Sequence, residues 1–392
     1  MNNVVQLGEL IAPAATERAG TKNRPILSMT MHHGLVDQNE KFKKRVASAD
    51  ISDYKIVKRG QLVVGFPIDE GVVSVQVVYP EAIVSPAYNI WDITAGIDSK
   101  YLEKFLRSPI AISYYRSKLR STTARRRTLT RQDFLRLPVP TPNIEEQQRL
   151  VDMLDRADAL RAKRREAIAR LDELAQSIFL DMFGDPVINP RCWDKASFGS
   201  LLRRIESGSS PKCLDRPVRS GEWGVLKLGA VTSCRFEPEE NKALPVAADP
   251  NPAYEVRPGD LLFARKNTPE LVAACVLVEN TPPKLLMPDL IFRFDLIEQA
   301  PVTKRYLHKL LTFPSKRRKV QGLAGGSASS MSNISKTRLA SLAIELPPLG
   351  LQQEFDERMS EIEKAKRRDR CDGEYLDELF ASLQQRAFRG DL

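Results

Sequence analysis

The chain has 392 residues and a net charge of +10, with 42% hydrophobic and 28% charged residues. Such a length predicts about two to four folding units, and no run of apolar residues is long enough for a transmembrane helix. The five cysteines are widely spaced and form no CxxC pair, which argues against a disulfide framework or a zinc ribbon. The N-terminus has no basic region followed by an apolar stretch, so we expect a cytoplasmic protein.

The first block, residues 1–141, is predicted to be a mixed α/β domain. Gln61–Gly65 and Val72–Tyr79 are strand-like, and Tyr101–Leu119 is helix-like. Basic residues crowd the end of this helix and the segment after it, among them Arg120, Arg125, Arg126 and Arg127. Arginines followed by hydroxyl side chains suit contact with phosphate groups. A solvated helix face is the alternative interpretation.

Two other polar segments of this block are weaker candidates for nucleic-acid contact. His32 and His33 could form a base-reading loop, or they could lie in an ordinary polar turn. Lys43, Lys44 and Arg45 form a short basic cluster.

Residues 142–185 are predicted to form a long helix. Pro142 marks its start, because proline fits the first turn of a helix but not the interior. Apolar residues recur at steps of four and three, with a polar interruption at Arg161 and Arg164. A seam with a period of 3.5 residues indicates a coiled coil. Residues 347–392 show the same pattern after Pro347 and predict a second long helix.

The block between the two helices, residues 186–346, is again predicted to be mixed α/β. Leu271–Val278 and Leu290–Phe294 are strand-like, and Lys304–Gly322 is helix-like. Its candidates for contact with DNA are Arg265, Lys266, Asn267, Lys316, Arg317, Arg318, Lys319, Ser329 and Ser330. Arg and Asn can read guanine and adenine edges through paired hydrogen bonds.

The two halves of the chain repeat one another. At an offset of 205 residues, Gln147–Gln148 falls on Gln352–Gln353, and Leu171–Leu174 falls on Leu376–Leu379. The charge repeats as well, because residues 1–142 and 186–348 each carry +8 and the two helical segments each carry −3. A polyanion would therefore contact the first and third blocks, although ordinary basic surface is an equal alternative on charge alone.

Together these patterns predict an α+β fold. Two mixed α/β domains would be separated by two long antiparallel helices that form a coiled coil, with an internal pseudo-two-fold repeat. Four segments are predicted: 1–141, 142–185, 186–346 and 347–392.

No pattern in the sequence nominates a catalytic site. There is no GxxxxGK phosphate loop and no glycine-rich dinucleotide fingerprint after a strand. The three histidines have no metal-ligand spacing. We therefore expect a recognition or scaffold subunit that binds no metal or cofactor.

The repeated junctions PVPTPNIEEQQRLVDML and AIELPPLGLQQEFDERM resemble the Pro-Leu-Pro-Pro-Leu-x-x-Gln-Gln pattern of the specificity (S) subunits of Type I restriction–modification systems. The segments GDLLFARKN and SNISKTRL resemble one family of their target-recognition domains, and LSMTMHHGLVDQNEKFKKRVASADISDYKIVKRGQLV with IVSPAY resembles another. The resemblance covers essentially the whole chain. The first junction departs from the pattern, because Thr141 and Asn143 flank Pro142 in place of a Pro-Pro pair.

The resemblance implies that the two basic domains are target-recognition domains, each for one half of a split DNA sequence. It implies two methyltransferase (M) subunits as partners, which use S-adenosylmethionine, and recruitment of restriction (R) subunits, with no catalysis by this chain. A DNA-binding protein that acts alone, such as a repressor or architectural factor, is the main alternative, and an enzyme with an unrecognised site is another.

Overall fold

The computed structural model describes residues 3–20, 24–31, 33–38, 51–119, 129–325 and 331–391. The chain divides into two compact units. Unit 1 comprises Met1–Glu166 and Asp369–Leu392, and unit 2 comprises Ala167–Arg368. The four segments predicted from the sequence stay a prediction.

Unit 1 contains a four-stranded antiparallel sheet with the order β2-β9-β6-β7 and three strand pairs, β1-β10, β3-β4 and β5-β8. Its strands are β1 (Asn3–Gln6), β2 (Ile11–Pro13), β3 (Leu27–Thr30), β4 (Gly34–Asp37), β5 (Lys55–Lys58), β6 (Leu62–Val64), β7 (Val73–Val75), β8 (Glu81–Val84), β9 (Asn89–Ile93) and β10 (Pro138–Thr141). Its helices are α1 (Leu7–Leu10), α2 (Ser99–Leu106), α3 (Pro109–Lys118), α4 (Arg131–Leu135) and the first part of α5 (Ile144–Phe183).

Unit 2 contains a four-stranded sheet of order β12-β19-β15-β17, a three-stranded sheet of order β14-β13-β18, and the pairs β11-β21 and β16-β20. Its strands are β11 (Asp194–Ser197), β12 (Leu202–Ser207), β13 (Gly224–Leu226), β14 (Asn241–Ala243), β15 (Leu261–Ala264), β16 (Lys266–Asn267), β17 (Cys275–Leu277), β18 (Leu285–Leu286), β19 (Ile291–Leu296), β20 (Ser332–Asn333) and β21 (Ala343–Leu346). Its helices are α6 (Gly229–Thr232), α7 (Lys304–Thr312), α8 (Pro314–Gln321), α9 (Lys336–Ala340) and the first part of α10 (Leu349–Arg389). The structure thus mixes helix and sheet, as predicted.

Two helices predicted as continuous are each split at a proline. Tyr101–Leu119 is α2 followed by α3, which begins at Pro109, and Lys304–Gly322 is α7 followed by α8, which begins at Pro314. Proline lacks an N–H donor and clashes with the preceding turn, so it starts a new helix here. The Ser108 hydroxyl caps α3 by accepting a hydrogen bond from the Ala111 N–H at 3.3 Å.

Two predicted strands are shorter in the structure because local contacts end them. The strand predicted at Val72–Tyr79 ends at Val75, where the buried Gln76 takes over the backbone hydrogen bonds. Its side-chain oxygen accepts from the Val78 N–H at 2.6 Å and the Tyr79 N–H at 3.1 Å, and such bonds compete with a sheet ladder. The strand predicted at Leu271–Val278 begins only at Cys275, after Ala273 with a φ of 64°.

Each long helix contributes one end to the core of each unit. In unit 1, Phe388 of α10 packs edge-on against Tyr101 and Phe105, with ring centroids 5.6 and 5.3 Å apart. In unit 2, Phe179 of α5 packs against Phe355 of α10 at 5.8 Å and stacks on Phe313 at 5.2 Å. Aromatic pairs in these geometries add about 0.5–1.5 kcal/mol each beyond burial.

Between these aromatic ends, ion pairs join the two long helices. In unit 1, Arg164 pairs with Asp369 and with Asp372, the latter at 2.9 Å. In unit 2, Lys366 lies 2.8 Å from Asp172.

None of the helices that the structure describes is long and apolar enough to cross a membrane.

Candidate nucleic-acid interface

The described part of the basic segment in unit 1 ends with exposed cations. Arg116 and Lys118 lie in the last turn of α3 and are exposed. The Lys118 ammonium lies 5.9 Å from the ring centroid of Tyr114. Ten of the predicted DNA-contacting residues lie outside the described residues: His32, Lys43, Lys44, Arg45, Arg120, Arg125, Arg126, Arg127, Ser329 and Ser330.

His33 is the one member of its pair that the structure describes. It is exposed in the turn between β3 and β4, and its backbone N–H donates to the Thr30 hydroxyl at 3.1 Å. His33 therefore lies in an exposed polar turn. This position is compatible with both interpretations, an ordinary polar turn and a base-reading loop.

The basic run of unit 2 lies on α8, and its four side chains differ in exposure. Arg318 and Lys319 are exposed in the last turn. Arg317 is half-buried and donates to the Glu270 carbonyl oxygen at 3.4 Å. Lys316 is fully buried. Only part of the run is therefore presented to a ligand.

Lys316 requires a correction, because its ammonium is used inside the unit. It donates to the Ala343 carbonyl oxygen at 2.6 Å and forms a buried ion pair with Glu345 at 2.5 Å. Burial lowers the pKa of Lys316, and the hydrogen bond to Glu345 opposes that shift. A phosphate could reach this ammonium only if the ion pair broke, so Lys316 does not belong to the exposed surface.

The segment Arg265–Asn267 is also partly committed to the fold. The Arg265 guanidinium donates to the Asp289 carbonyl oxygen at 2.8 Å and to Asn333 at 3.2 Å, and it lies 5.4 Å from the Phe292 ring centroid. Asn267 is buried, and its amide donates to the Thr232 hydroxyl at 3.3 Å. Asn267 is therefore corrected to a structural position, whereas Lys266 between them stays half-exposed.

The fold brings two of the predicted segments of unit 2 together. Strand β16 pairs with β20, which places Lys266 opposite Asn333, and Asn333 also bridges to Gly325 just after α8. The helix that follows, α9, adds two exposed cations that our sequence reasoning missed. Lys336 lies 5.6 Å from the Phe292 ring centroid, and Arg338 donates to the Leu323 carbonyl oxygen at 3.1 Å.

We call Lys266, Arg318, Lys319, Lys336 and Arg338 the basic surface of unit 2. The sequence signal for the two missed residues was Ser335, which caps α9 by accepting from the Arg338 N–H at 3.2 Å. A serine that can cap a helix indicates where the helix begins, and therefore which of the following side chains lie on it. Among the residues that the structure describes, no cluster of His, Cys, Asp and Glu could hold a metal ion.

A buried glutamine ties each basic domain to the start of a long helix. In unit 1, the Gln147 side chain accepts from the Asp98 N–H at 2.7 Å and donates to the Pro142 carbonyl oxygen at 2.8 Å. In unit 2, Gln352 accepts from the Thr303 N–H at 2.9 Å and donates to the Pro347 and Pro301 carbonyl oxygens at 2.8 and 3.0 Å.

Asp98 and Thr303 are the N-caps of α2 and α7. The first glutamine of each Gln-Gln pair therefore fixes a domain helix against the segment that enters a long helix. The second glutamine, Gln148 or Gln353, is exposed.

Comparisons with known proteins agree with this architecture. No protein-family model matches the chain. A segment of 164 residues, 42% of the chain, is 35% identical to the specificity subunit of the Type I restriction enzyme EcoEI of Escherichia coli and covers 27% of that protein. A match of 320 residues, 76% of the chain, is 24% identical to the EcoKI specificity subunit of Escherichia coli K12 and covers 66% of it. The matches thus span less than two thirds of either relative.

Two solved structures share the fold. A chain from a structure of the assembly and conformational transition of the type I R-M system aligns with 100% of this chain and 98% of its own, with a TM-score of 0.57 and 18% identity. The Type-I restriction-modification S subunit of M. genitalium aligns with 98% of this chain and 96% of its own, with a TM-score of 0.56 and 10% identity.

The fold of this chain is thus shared with a solved S subunit of a Type I restriction–modification system. The resemblance seen in the repeated junctions is confirmed, because the chain is similar to Type I specificity subunits in sequence and in fold.

Proposed function

We propose that this chain is the DNA sequence-recognition subunit of a Type I restriction–modification complex and that each unit reads one half of a bipartite target. The observation that carries the proposal is a feature present in both units. Each has a helix that begins at a proline and ends in exposed cations, Arg116 and Lys118 on α3 and Arg318 and Lys319 on α8. Exposed Arg and Lys at the end of a helix supply the phosphate contacts that dominate affinity for DNA.

Within each unit, we assign phosphate contact and base reading to different residues. The cations position the unit on the backbone of the duplex, and loops of the same unit read base edges. Lys266 of the basic surface is a candidate for such reading, since its short strand pairs with β20. Ser329 and Ser330 stay candidates, as do Arg125–Arg127 in unit 1.

The two long helices are proposed to form an antiparallel coiled coil that relates the units by a pseudo-two-fold repeat. Helix α5 has 40 residues, which at 1.5 Å each gives a rod of about 60 Å. Such a rod would fix the number of unread base pairs between the half-sites, which face the same side of a duplex once per turn of about 34–36 Å. The ion pairs of Arg164 and Lys366 support this assignment.

The partners are proposed to be two methyltransferase subunits and, in the complete system, restriction subunits. Unit 1 offers a groove of about 680 Å³ along α5 and α10. Its apolar floor includes Leu160 and Leu379, which are 54% and 42% exposed, and Arg149 and Arg156 lie among its charged residues. Exposed apolar residues next to charges are typical of a protein interface, and we assign this groove to a methyltransferase subunit.

In this proposal the chain itself performs no catalysis. S-adenosylmethionine would be bound by the methyltransferase subunit, and the complex would act in the cytoplasm. The chain supplies recognition, spacing and docking.

The salt dependence of DNA binding tests the role of the cations in the assembled complex. Replacing Arg318 and Lys319 together with alanine should weaken binding to specific and nonspecific DNA. It should also flatten the slope of log affinity against log salt by up to about 1.8, or about 0.9 for each lost phosphate contact. The matched control is the double alanine variant of Lys163 and Arg165, two exposed cations on α5, which should leave the slope unchanged. Equal slopes for the two variants would contradict the assignment.

Mapping of methylated adenines tests the function as a whole. DNA modified by this chain with its methyltransferase partner should carry methylation at one bipartite motif. Exchanging residues 191–345 for the matching domain of a related subunit should change one half of that motif only. Specific DNA binding by the isolated chain, with no effect of a methyltransferase partner, would instead favour a stand-alone DNA-binding protein.

A further inference from the structure

Unit 1 contains a small pocket that the phosphate-contacting role does not use. Its volume is about 280 Å³, just below the range of about 300–1,000 Å³ typical of sites for drug-sized ligands. It is lined by the start of β5, the segments after β2 and β6, strand β9, and the beginning of α4. A pocket of this size suits a single small planar group.

Aromatic side chains provide the walls of this pocket. Phe66 is 57% exposed, so much of its side chain is open to a ligand. Trp91 is buried in β9, and the register of the sheet places it opposite Leu62 of β6. The indole N–H of Trp91 has no hydrogen-bond acceptor in the described structure, although buried donors of this kind are usually paired.

Polar and cationic groups complete the lining. The guanidinium carbon of Arg131 lies 5.1 Å from the ring centroid of Trp91. The Lys55 ammonium donates to the Tyr88 carbonyl oxygen at 2.7 Å, and the exposed Asn89 and Thr16 also line the pocket. Aromatic faces for stacking, combined with guanidinium and amide donors, match the chemistry of a nucleobase edge.

The place of the pocket in the chain links it to DNA. Arg131 and Leu129 line it and are among the first described residues after the basic segment that begins at Arg116. Cations that hold the backbone of a nucleic acid next to an aromatic pocket are typical of proteins that take up an unstacked base.

We propose that this pocket receives a single nucleobase of bound DNA, turned out of the base stack and placed against Phe66. The proposal rests on the proposed role in DNA recognition and adds a second kind of contact to it. Asn89 and Arg131 provide hydrogen-bonding groups for the edge of the base, and Lys55 adds positive charge.

Tryptophan fluorescence provides a direct test, because Trp91 is the only tryptophan of unit 1. Replacing Trp193 and Trp223 with phenylalanine leaves it as the sole reporter in the full chain. The probes are the four deoxynucleoside 5′-monophosphates, added up to millimolar concentrations. At least one should quench the emission of Trp91 saturably, and Phe66→Ala should abolish that quenching.

A second measurement does not depend on the tryptophan substitutions. In the complex with the methyltransferase partner, Phe66→Ala should weaken binding to the mapped target duplex by about five-fold or more, the loss expected for one stacked base. Val77→Ala is the control, since Val77 is an apolar residue of unit 1 that is 54% exposed and does not line the pocket.

The outcomes separate the two proposals. Saturable quenching together with a specific effect of Phe66→Ala supports the base pocket. If no mononucleotide quenches Trp91 and Phe66→Ala binds the duplex as Val77→Ala does, the pocket proposal is overturned while DNA recognition stands. If the complex with unaltered Phe66 binds no specific duplex, the proposed function itself is wrong.

Discussion

Removal of the buried glutamine at the start of a long helix is expected to lower the free energy of unfolding of the unit that contains it. Gln352→Ala would remove three hydrogen bonds from unit 2, and it would leave the Thr303 N–H and the carbonyl oxygens of Pro301 and Pro347 without their partner. Each unsatisfied buried group costs about 1–3 kcal/mol. Because water can enter part of the space vacated, we expect a net loss of about 3 kcal/mol in the free energy of unfolding.

The measurement is urea unfolding followed by tryptophan fluorescence. Trp193 and Trp223 lie in unit 2 and Trp91 in unit 1, so tryptophan-to-phenylalanine variants can report on each unit in turn. The Gln352→Ala transition should move to lower urea in the signal from unit 2. In a unit of this size, about 3 kcal/mol corresponds to a fall in melting temperature of about 6–12 °C.

The neighbouring glutamine is a control of identical chemistry. Gln353 is exposed, and Gln353→Ala should change stability by no more than about 0.5 kcal/mol. Gln352→Met separates hydrogen bonding from packing, because methionine keeps most of the volume and removes the polar groups. If Gln352→Met were as stable as the unaltered chain, or if both alanine variants shifted equally, the hydrogen bonds would not be what stabilises this junction.

Three further predictions concern the ion pair of Lys316, the half-buried His308 and the long helices. Lys316→Met alone removes the ammonium that lies 2.5 Å from the buried Glu345 and leaves it the more distant ammonium of Lys195 at 3.9 Å. It should cost about 3–5 kcal/mol in urea unfolding, whereas adding Glu345→Leu should recover most of that loss. Burial lowers the pKa of His308 from 6.5 to about 4. Between these two pH values the unfolded chain binds a proton that the folded chain does not. The free energy of unfolding should therefore fall as the pH falls below about 6.5, by about 2 kcal/mol at pH 5. In urea titrations at several pH values, His308→Gln should remove this dependence of stability on pH. Inserting four residues after Arg165 adds about 6 Å to the helix. The spacer between the methylated half-sites should then lengthen by at most about two base pairs, with unchanged half-sites. An unchanged spacer in an active complex would mean that something other than the helices sets the distance between the half-sites.

The starts of the long helices could be predicted because their signals are local. Pro142 and Pro347 each stand two residues before the first helical residue, Ile144 and Leu349. The same rule, applied to Pro109 and Pro314, would have predicted the split of the two domain helices. A proline within an apparently helical pattern outweighs that pattern, because it cannot continue the preceding helix.

The burial of single basic residues could not be predicted in the same way. Lys316 stands in a run of four cations that is typical of an exposed helix, and its partner Glu345 is 29 residues further along the chain. Arg265 likewise finds Asp289 and Phe292 through the pairing of strands. Which cations remain at the surface is decided by tertiary contacts, whereas the composition of a segment decides only how many there are.

The contribution of Phe388 to unit 1 has a consequence for synthesis of the protein. Unit 2 is continuous in sequence, but unit 1 combines residues 1–166 with residues that follow position 368. A chain that emerges from the ribosome can therefore complete the second unit before the first, although domains generally fold from the N-terminus onward during translation. Tyr101 and Phe105 gain their aromatic partner Phe388 only after the whole of unit 2 has been translated. Until then, the apolar side chains of unit 1 that pack on Phe388 remain uncovered.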